Sequence, residues 1–141
     1  MDINKPNSVT PFLNHNSDNS QLKSIHSRLQ NPFLTQIDEY LEENFFKMDL
    51  SNTDIAQHFG FSTRLLYRIL DRATGLTPNQ YITKFRMQKA KILLKSRQHF
   101  TAKKVAILVG YKKSSYFSQL FKKEFHETPF EFLRRIGVRQ S

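Results

Sequence analysis

Two stretches of this chain are variations on one pattern, and the pattern leaves few folds open. DIAQHFGFSTRLLYRIL (54–70) aligns with KVAILVGYKKSSYFSQLF (104–121). Ile55, Ala56 and Gly60 match Val105, Ala106 and Gly110 at an offset of 50. Beyond the glycine the second copy has one extra residue and the offset becomes 51, so that Leu66 matches Phe117, Ile69 matches Leu120 and Leu70 matches Phe121. Thr77-Pro78 then matches Thr128-Pro129, and Tyr81 matches Phe132. A small residue, a glycine four positions later and apolar residues six and nine beyond it are what a helix-turn-helix requires. The alanine lets two helices cross at close range, the glycine supplies a turn with positive φ, and the apolar pair locks the second helix onto the first. A single such match carries little weight. Two of them, each followed by Thr-Pro and an aromatic residue, specify a tandem arrangement.

The rest of the chain punctuates itself as helices. Asn31-Pro32 reads as a cap followed by proline at the first helical position. Phe33, Ile37, Leu41 and Phe45 then recur every four residues, with Leu34 and Tyr40 beside them, which predicts an amphipathic helix with acids on its outer face. Ser51-x-x-Asp54 resembles a capping box and starts a short helix through Phe59, which Gly60 ends. Ser62 caps a helix whose Leu65, Leu66, Ile69, Leu70 and Ala73 fall at helical spacing until Gly75. Thr77-Pro78 opens a longer helix through about Lys95, expected to bury Tyr81, Phe85 and Ile92. Thr101 starts a short helix ending before Gly110, Ser114 or Ser115 a helix to Phe125, and Thr128-Pro129 a last one through Phe132, Leu133 and Ile136. With no alternating strand pattern and no Asn-Gly hairpin, the class is all-α. Residues 1–30, rich in Asn and Ser, read as a flexible tail or linker with a nascent helix near its end.

Charge narrows the partner. Residues 51–141 hold 18 Lys/Arg against five acids, a formal +13, while residues 32–50 carry a net −4. A basic block of that size is the footprint of a nucleic-acid binder. Other classes lose ground on composition. There are no cysteines, and the five histidines are scattered without ligand spacing, so neither a metal nor a cofactor is expected. No G-x-S-x-G, phosphate-cradling glycine loop or paired carboxylates point to an enzyme. No apolar run reaches the ~20 residues of a membrane span and no hydrophobic signal core is present, so no membrane partner is expected and the expected compartment is the cytoplasm.

In the second repeat Phe117, Leu120, Phe121 and Phe125 are assigned to the core. Lys113, Ser114, Ser115, Ser118 and Gln119 are left outward near the helix N-terminus, where a helix-turn-helix contacts base edges.

In these motifs the chain resembles the DNA-binding domain of the AraC/XylS family of bacterial transcription regulators. The resemblance covers residues 32 to about 136 and rests on DIAQHFGFSTRLLYRIL, GLTPNQYITKFRMQKAKILL, VAILVGY and SSYFSQLFKKEFHETPFEFLRR. It implies seven helices in two helix-turn-helix, homeodomain-like subdomains, at 31–76 and 97–141, joined by a linker helix at 77–96. It places base readers at Arg64, Tyr67 and Arg68 in the first reading helix, and at Ser114, Ser115, Ser118 and Gln119 in the second. Gln119 stands where the family commonly has arginine, which suits adenine rather than guanine. His126 stands where the family usually has glycine, so a looser cap is expected there. Phosphate contacts are expected from Lys84, Lys91, Lys103, Lys104, Lys112 and Lys113.

The lead-in FLTQIDEYLEENF resembles that of the same domain when it serves as the output module of a larger two-component sensor. A small stand-alone regulator beginning at Met1 is the alternative. The expected function is that of a sequence-specific regulator, an activator reading two successive major grooves of double-stranded DNA. RNA polymerase and an upstream sensor domain or dimer partner are the further partners expected. The competing reading is a non-specific architectural or RNA-binding protein, which would show little preference between cognate and random DNA and would expose wedge or stacking residues.

Overall fold

Capping chemistry sets the helix boundaries. In the computed structural model, which describes residues 31–96 and 101–137, seven helices follow one another: α1 (Pro32–Asn44), α2 (Asn52–Phe59), α3 (Thr63–Thr74), α4 (Pro78–Lys95), α5 (Ala102–Leu108), α6 (Ser114–Phe125) and α7 (Pro129–Arg135). No strand occurs among the described residues. The tail and nascent helix expected within residues 1–30 lie outside them.

Three helices open with a reciprocal capping box. The Ser51 hydroxyl accepts from the Asp54 amide while the Asp54 carboxylate accepts from the Ser51 amide. Thr77 and Gln80 do the same at α4, and Thr128 and Glu131 at α7. Ser62 and Thr101 cap α3 and α5 through their hydroxyls alone. Each cap satisfies amides that have no partner within the helix, worth about 0.5–2 kcal/mol apiece.

The turns after α2 and α5 are closed by the same bonds. Phe61 donates its amide to the Ala56 carbonyl and Tyr111 to that of Ala106, both at 2.8 Å. Gly60 donates to Gln57 at 3.2 Å and Gly110 to Ile107 at 3.1 Å. This is a Schellman turn written twice, with each glycine at positive φ, 72° and 99°.

The described chain packs as two units. The first comprises residues 31–44 and 50–82, the second 45–49, 83–96 and 101–137. Buried in the first are Leu34, Ile37 and Leu41 of α1, Ile55 and Ala56 of α2, Leu66 and Leu70 of α3, and Tyr81 of α4. The second is built on Met87, Ala90, Leu94, Val105, Ala106, Val109, Phe117, Phe121, Phe132 and Leu133, with Leu120 and Phe125 partly buried against them.

Three expectations are corrected by this packing. Ile92 is 57% exposed, because Met87, Ala90 and Leu94 supply the buried face of that part of α4. Phe33 lies mostly outside the core and α1 stops at Asn44, so its buried stripe is Leu34, Ile37 and Leu41. Asp38 is not on an outer acidic face. It is buried and accepts a hydrogen bond from the Tyr81 hydroxyl at 2.5 Å.

Candidate nucleic-acid interface

In the first unit, α3 follows the Gly60 turn with Ser62 as its cap. Leu66 and Leu70 are buried, so residues at the opposite register, Arg64, Tyr67 and Arg68, stand exposed together along one face near the helix start. Two guanidiniums flank a tyrosine that is 49% exposed. Such a face can donate bidentate pairs to guanine and stack or hydrogen bond beside them.

In the second unit α6 repeats the geometry at an offset of 51 throughout. It has the same 12-residue length, and Ser115, Ser118 and Gln119 occupy the positions of Arg64, Tyr67 and Arg68. Phe117 and Phe121 point inward, as assigned. Ser115 and Gln119 are exposed, while Ser114 and Ser118 are only half-exposed. This face is short-armed and uncharged, so it offers neutral hydrogen bonds where α3 offers charge-assisted ones.

The two reading helices also begin and end differently. Lys113 is the N-cap of α6 and makes no side-chain cap bond. The turn before it carries the extra residue, Lys112. At the other end His126 adopts φ 65°, the single described non-glycine residue at positive φ, where α3 has Gly75. Its amide still donates to Lys122 at 2.7 Å, so the cap is made and not loose. The cost is carried by the backbone of a residue with a Cβ.

Of the six lysines expected to meet phosphates, Lys103, Lys104, Lys112 and Lys113 are exposed. Lys84 lies 3.4 Å from the Glu124 carboxylate. Lys91 is half-buried, its Nζ 4.5 Å from the centre of the Phe125 ring and 5.7 Å from that of Phe132. Burial, together with Lys95 and Arg135, lowers its pKa against the opposing pull of Glu127.

Sequence reasoning passed over Tyr116 and Arg86, set Leu65 on the apolar face of its helix although it is exposed, and set Asp38 among the outer acids. Leu65 and Tyr116 occupy equivalent positions in α3 and α6, and both are exposed. The register of the repeat was the available signal for this pair. Asp38 and Arg86 are buried charges, and nothing local marks them. Among the described residues no cluster of three or more His, Asp or Glu side chains could hold a metal, and no helix is long and apolar enough to cross a membrane.

Comparison with known proteins agrees with this geometry. A helix-turn-helix domain family matches residues 55–135. The HTH-type transcriptional activator RhaS of Salmonella schwarzengrund (strain CVM19633) is 36% identical over 96 residues, which is 68% of this chain and 34% of the relative. The chain therefore spans about a third of the length of that relative. Among solved structures, the C-terminal domain of AraT, a response regulator from Geobacillus stearothermophilus, superposes with a TM-score of 0.68 at 29% identity, covering 79% of this chain and 90% of that one. A transcriptional regulator from Chromobacterium violaceum, described as containing an AraC-type DNA-binding domain, gives 0.69 at 27% identity, covering 75% and 93%.

Proposed function

The chain belongs to the AraC/XylS family of helix-turn-helix transcription regulators, and from that premise we propose that α3 and α6 each enter a major groove, two successive grooves being read by one chain. Sequence-specific DNA binding for transcription control is the activity of this domain class. One observation carries the two-groove reading: the same turn, closed by the same hydrogen bonds, occurs twice and each time precedes a 12-residue helix with an exposed polar N-terminal face.

Within that reading Arg64, Tyr67 and Arg68 read one half of the site, and Ser114, Ser115, Ser118 and Gln119 the other. Lys103, Lys104, Lys112 and Lys113 hold the phosphates. Lys84 and Lys91 join them by exchanging their intramolecular contacts for DNA. The similarity to an activator supports transcription activation through RNA polymerase, and the similarity to a response-regulator output domain supports an attached sensor. The cytoplasm, where bacterial DNA resides, is the compartment this function requires, and the reading needs no catalytic group.

Selection of bound sites from a random duplex pool tests the proposal. The expected product is an asymmetric motif about two helical turns long, stronger in the half read by the arginines. Recovery of no enriched sequence would favour non-specific basic binding instead.

A further inference from the structure

Resting on the assignment of α6 as a reading helix, we propose that Arg86 of α4 is a positioning residue for base reading: it braces the turn in front of α6 and so fixes how Ser115 and Gln119 are presented. Arg86 is 6% exposed, an unusual place for a guanidinium. Its bonded partners are backbone atoms. Nε donates to the Phe45 carbonyl at 2.9 Å and Nη2 to the Lys47 carbonyl at 2.6 Å. The guanidinium carbon sits 5.0 Å from the centre of the Tyr111 ring.

The turn is shaped to admit this group. A Cβ at Gly110 would lie 2.9 Å from both Cζ and Nη2 of Arg86, and 3.0 Å from the Phe45 carbonyl oxygen. From Tyr111 the contacts continue into α6, with ring centroids 5.8 Å from Tyr116 and 6.2 Å from Phe117. Guanidinium, turn and the first turn of α6 are thus one packed series, all within the second unit.

The first unit shows why a brace is needed here. At Gly60 a Cβ would meet nothing within 4 Å, and Phe61, the counterpart of Tyr111, packs on the rings of Phe33 and Phe59. That turn is one residue shorter, and Ser62 pins the start of α3 through its hydroxyl. The second turn carries an extra residue and its helix has no side-chain cap. Arg86 supplies from outside the turn the constraint that Ser62 supplies from within. A planar fork that donates in two directions while stacking on a ring does this, whereas a lysine would provide a single point charge.

The test uses the full 141-residue chain and a site obtained by selection. Base preference is measured position by position for Arg86→Met, Arg86→Lys and Gln119→Ala, at a temperature where each is folded. Arg86→Met should lose about tenfold discrimination in the half that Gln119→Ala identifies, keep discrimination in the half that depends on Arg68, and keep the salt slope. Arg86→Lys should restore little of the loss. Should Arg86→Met fail to fold, Tyr111→Leu keeps the carbonyl bonds, removes the stacked ring, and should show the same half-specific loss at smaller size. A folded variant that discriminates as wild type, or that loses both halves alike, overturns the proposal. Amide exchange of Tyr111 to Ser115 in the free protein separates this from the reading of α6. If Gln119→Ala changes no preference, α6 is not a reader. Faster exchange in Arg86→Met still upholds the brace, and unchanged exchange overturns it.

Discussion

A methyl group added at Gly60 would meet open space, whereas one added at Gly110 would press on an anchored guanidinium and a backbone carbonyl. Both glycines have positive φ, so either alanine substitution carries the left-handed cost of about 1–2 kcal/mol. Gly110→Ala should cost measurably more than Gly60→Ala in urea unfolding, because Arg86 must surrender a carbonyl bond or the turn must open. Equal costs would show that the guanidinium moves aside freely. On the faces proposed to read DNA, side-chain chemistry predicts a division of roles. Arg68→Ala should remove about 1–3 kcal/mol of discrimination at one base pair, whereas Lys104→Ala should weaken cognate and random duplexes alike. Titration of both variants against the two duplexes checks this, and equal losses on both would undo the assignment of readers.

At the scale of elements, the caps give α3 and α6 unequal starts. Lys113→Ser would install in α6 the cap that Ser62 gives α3, raising stability by about 0.5–2 kcal/mol. It would also remove a cation from the helix start, so thermal stability should rise while the salt slope of DNA binding falls by about 1. α7 makes a different prediction. The Thr128 amide, donating to Glu131, holds that carboxyl below its ordinary pKa, and Arg135 does the same for Glu127. A carboxyl whose folded pKa is depressed contributes stability above its unfolded pKa, about 4.3, and loses it as pH falls through the folded value. Glu131→Gln should therefore lower the melting temperature at neutrality, converge with wild type in acid, and flatten the decline below pH ~4. A melting curve as acid-sensitive as wild type would remove Glu131 from that role.

For the whole molecule the controlling quantity is charge density. With about 6–10 phosphate contacts, affinity should fall ~10³–10⁵-fold between 50 and 200 mM salt. A nearly flat response would exclude a backbone-dominated DNA interface. If one chain reads two grooves, inserting about half a turn, ~5 bp, between the halves of a selected site should abolish the footprint of one half. Undiminished binding to the lengthened site would leave a single reading unit.

Most of the fold was legible because its signals are local. Each cap, proline and glycine acts on neighbours within four positions, so Ser51, Ser62, Thr77, Thr101 and Thr128 mark their helices in any order of assembly. The repeat added the pairing of helices, and with it the positions of the exposed polar faces of α3 and α6. α4 was less legible, since its apolar residues spread around the helix and Ile92 could not be told from Met87 by periodicity alone. Nor could the partners of the buried charges be read. Tyr81 meets Asp38 across 43 residues, and Arg86 meets Phe45 and Lys47 across 41 and 39. Lys91 looks like any other lysine of a basic helix until Phe125 and Phe132 close over it. The chain by itself determined the seven helices of the described residues, two turns and which faces are polar, because those depend on neighbours along the backbone. Tertiary structure alone decided which charges are withdrawn from solvent and what they brace, because a buried ion takes its partners from whatever the folded chain brings within hydrogen-bonding distance.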